Sequence, residues 1–203
     1  MRGRLRRHRC AVPCRLRASL GVHCGQAHFA AHPGRNFRRD FAMEQVTTYL
    51  PVTCLAETGE SWYRGLDSNP SEYLLARVNL AAERWAAHPL LDIRLNFATL
   101  FNQPNPGGKP DETENSEVEM IGQKIYAYLK DAGPALHVAT FTTGILKEWV
   151  FYLGNRQAVP AIHEKIQSEI RSHDVECAGQ SDPAWKEFAS ILSKCHIRKN
   201  VHS

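Results

Sequence analysis

The stretch "KEWVFYLGNRQAVPAIHEKI", residues 147–166, carries two different periods, and they decide the fold. Its first half alternates: Trp149, Phe151 and Leu153 fall on one side of an extended chain, Val150 and Tyr152 on the other. Its second half changes to helical spacing, with Val159, Ile162, Ile166 and then Ile170 forming one stripe. Pro160 is tolerated there because first-turn amides have no intrahelical partner. A strand apolar on both sides is internal to a sheet. One face lies under helices, and the other must be covered by an earlier hairpin, a C-terminal helix or a second subunit, because a bare aromatic face is an interaction site or a liability.

Upstream, "ALHVATFTT" (135–143) is β-branched and aromatic and turns near Gly144 into the strand 148–153, which predicts an antiparallel hairpin. Before it, Asp111 caps a helix over 112–131 with Glu114 three residues on; Val118, Ile121, Ile125, Tyr128 and Leu129 are its buried stripe and Gly133-Pro134 its stop. "PLLDIRLNFATLF" (89–101) alternates as a long strand, followed by a Pro/Gly loop. "SWYRG" (61–65) and "EYLLARVNLA" (72–81) are shorter strand candidates that read together as a hairpin or a pair of adjacent strands.

Downstream, "DVECAG" (174–179) reads as a last strand. "SDPAWKEFASIL" reads as a helix capped by Ser181 or Asp182, with Trp185, Phe188 and Leu192 inward. From residue 89 the order is strand, helix, strand, strand, helix, strand. That order predicts an α+β, ferredoxin-like split βαβ arrangement: a four-stranded antiparallel sheet with both helices on one face, plus an N-terminal hairpin and a C-terminal helix. The expected organisation is a leader over 1–42, an extension with short strands over 43–88, the domain over 89–195, and a tail over 196–203.

The net charge of +4 hides two unlike parts. Residues 1–42 hold ten arginines, no lysine and one acid, Asp40, hence +9; the remainder holds 15 basic residues against 20 acids, hence −5. A basic surface for nucleic acid is therefore not evident in the domain, which would need its Lys and Arg concentrated on one face to bind phosphates. The leader has four readings: a transit peptide, a zinc site using Cys10, Cys14, His23 or Cys24, and His28, a disordered arm that touches nucleic acid by charge, or upstream sequence preceding a start at Met43. Cys54, Cys177 and Cys195 have no repeated spacing and read as free thiols of a reducing cytosol, so the expected location is cytoplasmic. No apolar run approaches the length of a membrane span.

No phosphate loop, dinucleotide fingerprint, nucleophile elbow or zincin motif is present. The acids Asp111, Glu112, Glu114, Glu117 and Glu119 sit at a helix start, where negative charge complements the helix dipole. His137 and His163 make a catalytic pair only if the fold brings them together, and nothing in sequence supplies a base to Cys177 or Cys195. Gly107-Gly108-Lys109 reads as a flexible tip.

The segments "KEWVFYLGN", "VPAIHEKI", "HDVECAG" and "DPAWKEF", with "LLDIRLNF" and "SEVEMIGQKIYAYL" before them, resemble an uncharacterised, mainly bacterial family catalogued as domain of unknown function 695. The resemblance spans roughly residues 77–188. It implies a ferredoxin-like α+β domain of unassigned activity, distantly similar in architecture to the regulator that inhibits ribonuclease E, with no catalytic residues to carry over. The expected function is a non-catalytic binding or regulatory module without a cofactor or metal, which self-associates or holds a protein partner through Trp62, Tyr63, Val150 and Tyr152. The alternatives are a small-molecule enzyme and a nucleic-acid-associated protein that uses the Arg-rich leader.

Overall fold

The computed structural model describes residues 49–66 and 73–195. The readings placed on the leader, among them the zinc site and the Met43 start, lie outside these residues, as does the tail. Among the described residues six strands form one antiparallel sheet: β1 (Trp62–Leu66), β2 (Leu74–Asn79), β3 (Ile93–Leu100), β4 (Ala135–Thr143), β5 (Leu146–Leu153) and β6 (Val175–Ser181). Their order across the sheet is β1-β2-β4-β5-β3-β6, with antiparallel neighbours throughout. Strands β3 and β4, joined through helix α1 (Glu112–Ala132), are thus parallel with β5 between them. In the same way β5 and β6, joined through α2 (Val159–Glu169), enclose β3. The sheet has six strands where four were expected, because the N-terminal hairpin pairs through β2 with β4 and extends it.

Both faces of β5 are buried, as its alternation requires. Trp149, Phe151 and Leu153 join Leu95 and Phe97 of β3 under the stripes of α1 (Val118, Ile121, Ile125, Leu129) and α2 (Ile162, Ile166). Val150 and Tyr152 join Val78, Leu91, Leu136 and Val138 on the opposite side. The cover there is the 3-10 helix Leu80–Trp85, through Ala82 and Trp85, and helix α3 (Lys186–Lys194), through Phe188 and Ile191, with Trp185 at its start.

Helix α1 starts and stops where its residues dictate. The Asp111 carboxylate accepts the Glu114 N–H at 2.9 Å, and Gly133, at φ 150°, ends it ahead of Pro134. Gly122 lets α1 settle onto the sheet, since a Cβ there would collide with the Trp149 indole. Helix α3 departs from expectation. It begins at Lys186, after a turn through Asp182-Pro183-Ala184 and a left-handed Trp185 (φ 53°).

Candidate binding site

Two of the four residues expected to meet a partner lie in the interior. Val150 and Tyr152 are 1% and 0% exposed. Of the three covers open to that face, the C-terminal helix is one that this chain itself supplies. The Tyr152 ring stacks on Trp185 with centroids 3.9 Å apart, and its hydroxyl donates to Asp182 Oδ2 at 2.6 Å. The Trp185 Nε1–H donates to the Leu91 carbonyl at 2.8 Å. Burial works to raise the Asp182 carboxyl, but the Tyr152 hydroxyl and the amides of Glu187 and Lys186 outweigh it and hold it below its ordinary range. Burial and that carboxylate together push the Tyr152 hydroxyl up. Tyr63 is half-buried against this same cluster.

Trp62, one position earlier on β1, points to the other face. The β1–β2–β4 register places Trp62 and Arg77 on the α1 side, in line with Thr140. The Arg77 guanidinium lies over the Trp62 ring, 5.1 Å from its centre, a cation–π contact. Its Nη1 reaches Glu119 Oε1 of α1 at 3.0 Å. The other oxygen of Glu119 takes the Lys147 ammonium at 2.7 Å. Trp62 is further fixed by donating its Nε1–H to Glu60 at 2.8 Å.

Lys147 is unusual, with 4% of its side chain exposed. Burial pushes its ammonium below the ordinary lysine range against the pull of Glu119. Burial of Glu119 acts to raise its carboxyl, and the two cations override this and hold it low. A buried charge survives only when paired and hydrogen-bonded, which makes the Arg77–Glu119–Lys147 chain a unit.

His137 completes the cluster. Its ring lies 4.8 Å from Phe151, 5.0 Å from Trp62 and 5.8 Å from Tyr126. A register shift between His137 and Ala139 in the β4–β5 pairing aims it there, and such bulges re-aim side chains. Its Nε2 stands 3.0 Å from the Ala139 carbonyl, an acceptor, so Nε2 carries the proton and Nδ1 is left as an acceptor. Burial, with a smaller push from Arg77, brings its pKa down to about 4, and the ring is neutral at pH 7. Beside it Lys130 caps the Tyr126 ring at 4.6 Å. From Tyr126 and Lys130 a groove of about 530 Å³ runs along Glu60 and Asn79 to Val52 and Leu55.

The other expected candidates separate. His163 contacts the Val175 carbonyl at 2.8 Å and the edge of Phe97, surroundings unlike those of His137. The acids at the start of α1 disperse: Asp111 caps, Glu119 pairs across the sheet, and Glu114 turns inward. Glu114 accepts from the Asn102 N–H, from the Gln103 N–H at 3.2 Å and from His173 at 3.0 Å. Ser172 Oγ lies 3.0 Å from His173 Nδ1, which gives the connectivity of a Ser-His-Glu relay. Yet the hydroxyl is the ring's own chain neighbour and the carboxylate is saturated by loop amides, so the set ties the loop before β6 to the start of α1. Burial raises the Cys195 thiol, the wrong direction for a nucleophile. Among the described residues no disulfide is formed by Cys54, Cys177 or Cys195. Among the described residues no group of three or more His, Cys, Asp or Glu is placed to hold a metal, and no helix is long and apolar enough to cross a membrane.

Sequence reasoning passed over Arg77, Glu119 and Lys147 as a set. The signal was present as two cations, Arg77 and Lys147, standing inside otherwise apolar strands, where a charge needs a partner.

Fold and site together define an α+β domain with one antiparallel sheet covered on both faces and a fixed aromatic and cationic cluster at one edge. The chain belongs to DUF695, a family of unknown function, whose model matches residues 60–193. The match runs from β1 into α3 and so takes in the N-terminal hairpin as well as the expected segments. No curated protein and no solved structure matches the chain significantly.

Proposed function

We infer that this domain is a non-catalytic binding module that holds a protein partner at the Trp62 edge of its sheet. The observation that carries the reading is the setting of Trp62: a half-buried indole held by Glu60, Arg77 and His137 before any partner arrives, beside an open groove. Aromatic and arginine side chains already fixed in place bury area at small entropic cost, which is how interface anchors work. The charges around it are matched within the cluster and His137 is neutral, so the set is built to present a shape rather than to move a proton. Tyr63 supports the reading from behind by anchoring β1 to the opposite core.

The test is affinity capture from native cells with the full-length protein, comparing wild type, Trp62→Ala, Lys130→Glu and a control, Met120→Ala, at an exposed site on α1. A partner retained by wild type and Met120→Ala and lost with Trp62→Ala is the expected result. A partner held equally by a folded Trp62→Ala protein removes the reading.

A further inference from the structure

Strand β1 is an edge of the sheet, with β2 as its neighbour. The Leu80 N–H donates to the Ser61 carbonyl at 2.7 Å, one rung beyond the Trp62–Asn79 pair, so Ser61 faces β2. Hydrogen-bonded pairs alternate in antiparallel strands, which turns Tyr63 and Gly65 toward β2 as well. The Phe101 N–H, given to the Ile145 carbonyl at 2.9 Å, fixes the same alternation from the other side, carried through the registers of β5, β4 and β2. Trp62, Arg64 and Leu66 therefore direct their N–H and C=O groups away from the sheet, and no bond to them is formed among the described residues.

The side chains at this edge are short of negative charge. Arg64 is exposed at the midpoint of β1 and stands directly opposite Arg77, on the α1 side with Trp62. Like charges directly opposite each other are unfavourable. Arg77 has Glu119 for relief, Lys147 draws on the same carboxylate, and Glu60 is engaged by the Trp62 indole. Arg64 and Lys130 have no ion pair among the described residues. Strand, cluster and groove together hold Arg64, Arg77, Lys130 and Lys147 against Glu60 and Glu119, a local excess of cations within residues 43–203, which carry −5. An exposed charge on an edge strand also decides what can pair with it. The β1 strand of a second copy, paired antiparallel about Arg64, would set Arg64 against Arg64, whereas a carboxylate at that point is attracted.

We propose that the partner at the Trp62 edge binds as an acidic extended segment, which adds to β1 as a further antiparallel strand and sets a carboxylate over Arg64. This rests on the partner reading above and names the chemistry of that partner. Main-chain bonds to Trp62, Arg64 and Leu66 supply affinity, and alternate side chains supply selectivity. The residues opposite Arg64 and Trp62 are two apart on the α1 side, so the acid is followed two positions later by an apolar residue that lies on the fixed indole.

The experiment selects random linear peptides displayed on phage against the full-length protein. Selected sequences are then measured as free peptides by fluorescence anisotropy, and their effect on amide exchange is followed by NMR. They are expected to carry Asp or Glu two residues before an aromatic or aliphatic residue. Arg64→Glu is expected to weaken them about tenfold and to prefer the same peptides with the acid changed to Lys. At saturation the Trp62, Arg64 and Leu66 amides are expected to exchange roughly tenfold more slowly or better, with Tyr63 and Gly65, already in the β2 ladder, unchanged. An empty selection, sequences without acid enrichment, binding indifferent to Arg64→Glu, or protection without alternation along β1 overturns the proposal. Trp62→Ala separates this from the site itself. Peptides lost with Trp62→Ala but indifferent to Arg64→Glu leave the partner reading standing without the added strand, and peptides held equally by folded Trp62→Ala protein remove both.

Discussion

Acid acts on this fold first through His137. Its ordinary pKa of 6.5 falls to about 4 in the folded protein, because the burial it shares with Trp62, Tyr126 and Phe151 keeps away the water a charged ring needs, and the Arg77 cation adds a smaller push. A folded-state pKa below the unfolded value means the unfolded chain binds the proton more readily. The stabilisation is complete above pH 6.5 and is lost as pH falls toward 4. At about 1.36 kcal/mol per unit the loss comes to roughly 3 kcal/mol. Glu114, Glu119 and Asp182 are held low by their partners, so their contribution starts to go as pH falls through the ordinary values of 4.5, 4.5 and 3.8, at the acid end of the His137 window and below it, in both proteins. The assay is urea denaturation at half-unit steps from pH 7.5 to 4, on wild type and on His137→Gln, whose amide N–H can still serve the Ala139 carbonyl. The substitution costs ring packing at every pH, but the gap between the two proteins should narrow by about 3 kcal/mol across the window. Parallel profiles would refute the account of His137 as a ring kept neutral by its enclosure.

Three other substitutions probe the packing. Glu119→Gln leaves the Lys147 ammonium buried without its anion and should cost about 3–5 kcal/mol by denaturant midpoint, most of it recovered when Lys147→Met is added. Gly122→Ala, which on an exposed helix would gain about 1 kcal/mol, should instead destabilise by about 1–3 kcal/mol because the new methyl meets the Trp149 indole; a rise in melting temperature would show that α1 can lift freely. Tyr152→Phe removes the donor to Asp182 and the acceptor for the Phe188 N–H, for a loss of about 1–3 kcal/mol and a changed Trp185 emission spectrum.

The two-sided alternation of β5 was enough to place it centrally, because only a strand covered twice can be apolar on both faces. The stripe of α1 and its Asp111 cap were equally readable, since both are local. The C-terminal helix was among the three covers open to Val150 and Tyr152, but the choice was not readable, because the contact lies some thirty residues away in a turn whose key residue, Trp185, adopts a backbone conformation that sequence gives no reason to expect of tryptophan. His137 was hidden for a similar reason. Strict alternation in "ALHVATFTT" groups it with Ala139 and Phe141, which pack on the α3 side, whereas the shift at 137/139 sends it to the α1 side. The Arg77–Glu119–Lys147 chain joins three elements far apart in sequence, so only its unpaired ends were visible.

The latch that Asp182 and Trp185 close on the middle of the sheet also bears on how the chain is made. Leu91, whose carbonyl receives the Trp185 indole, leaves the ribosome 94 residues before its partner, and Arg94 leaves 93 before Glu187. At the usual pace of synthesis that gap lasts roughly 5 to 20 seconds. Over its last third, from Tyr152 to Trp185, Val150 and Tyr152 lack the cover of Trp185 and α3 on a strand that is otherwise ready to pair. A nascent chain halted before residue 182 is therefore a natural client for chaperones, and its completion depends on the last turn being delivered on time.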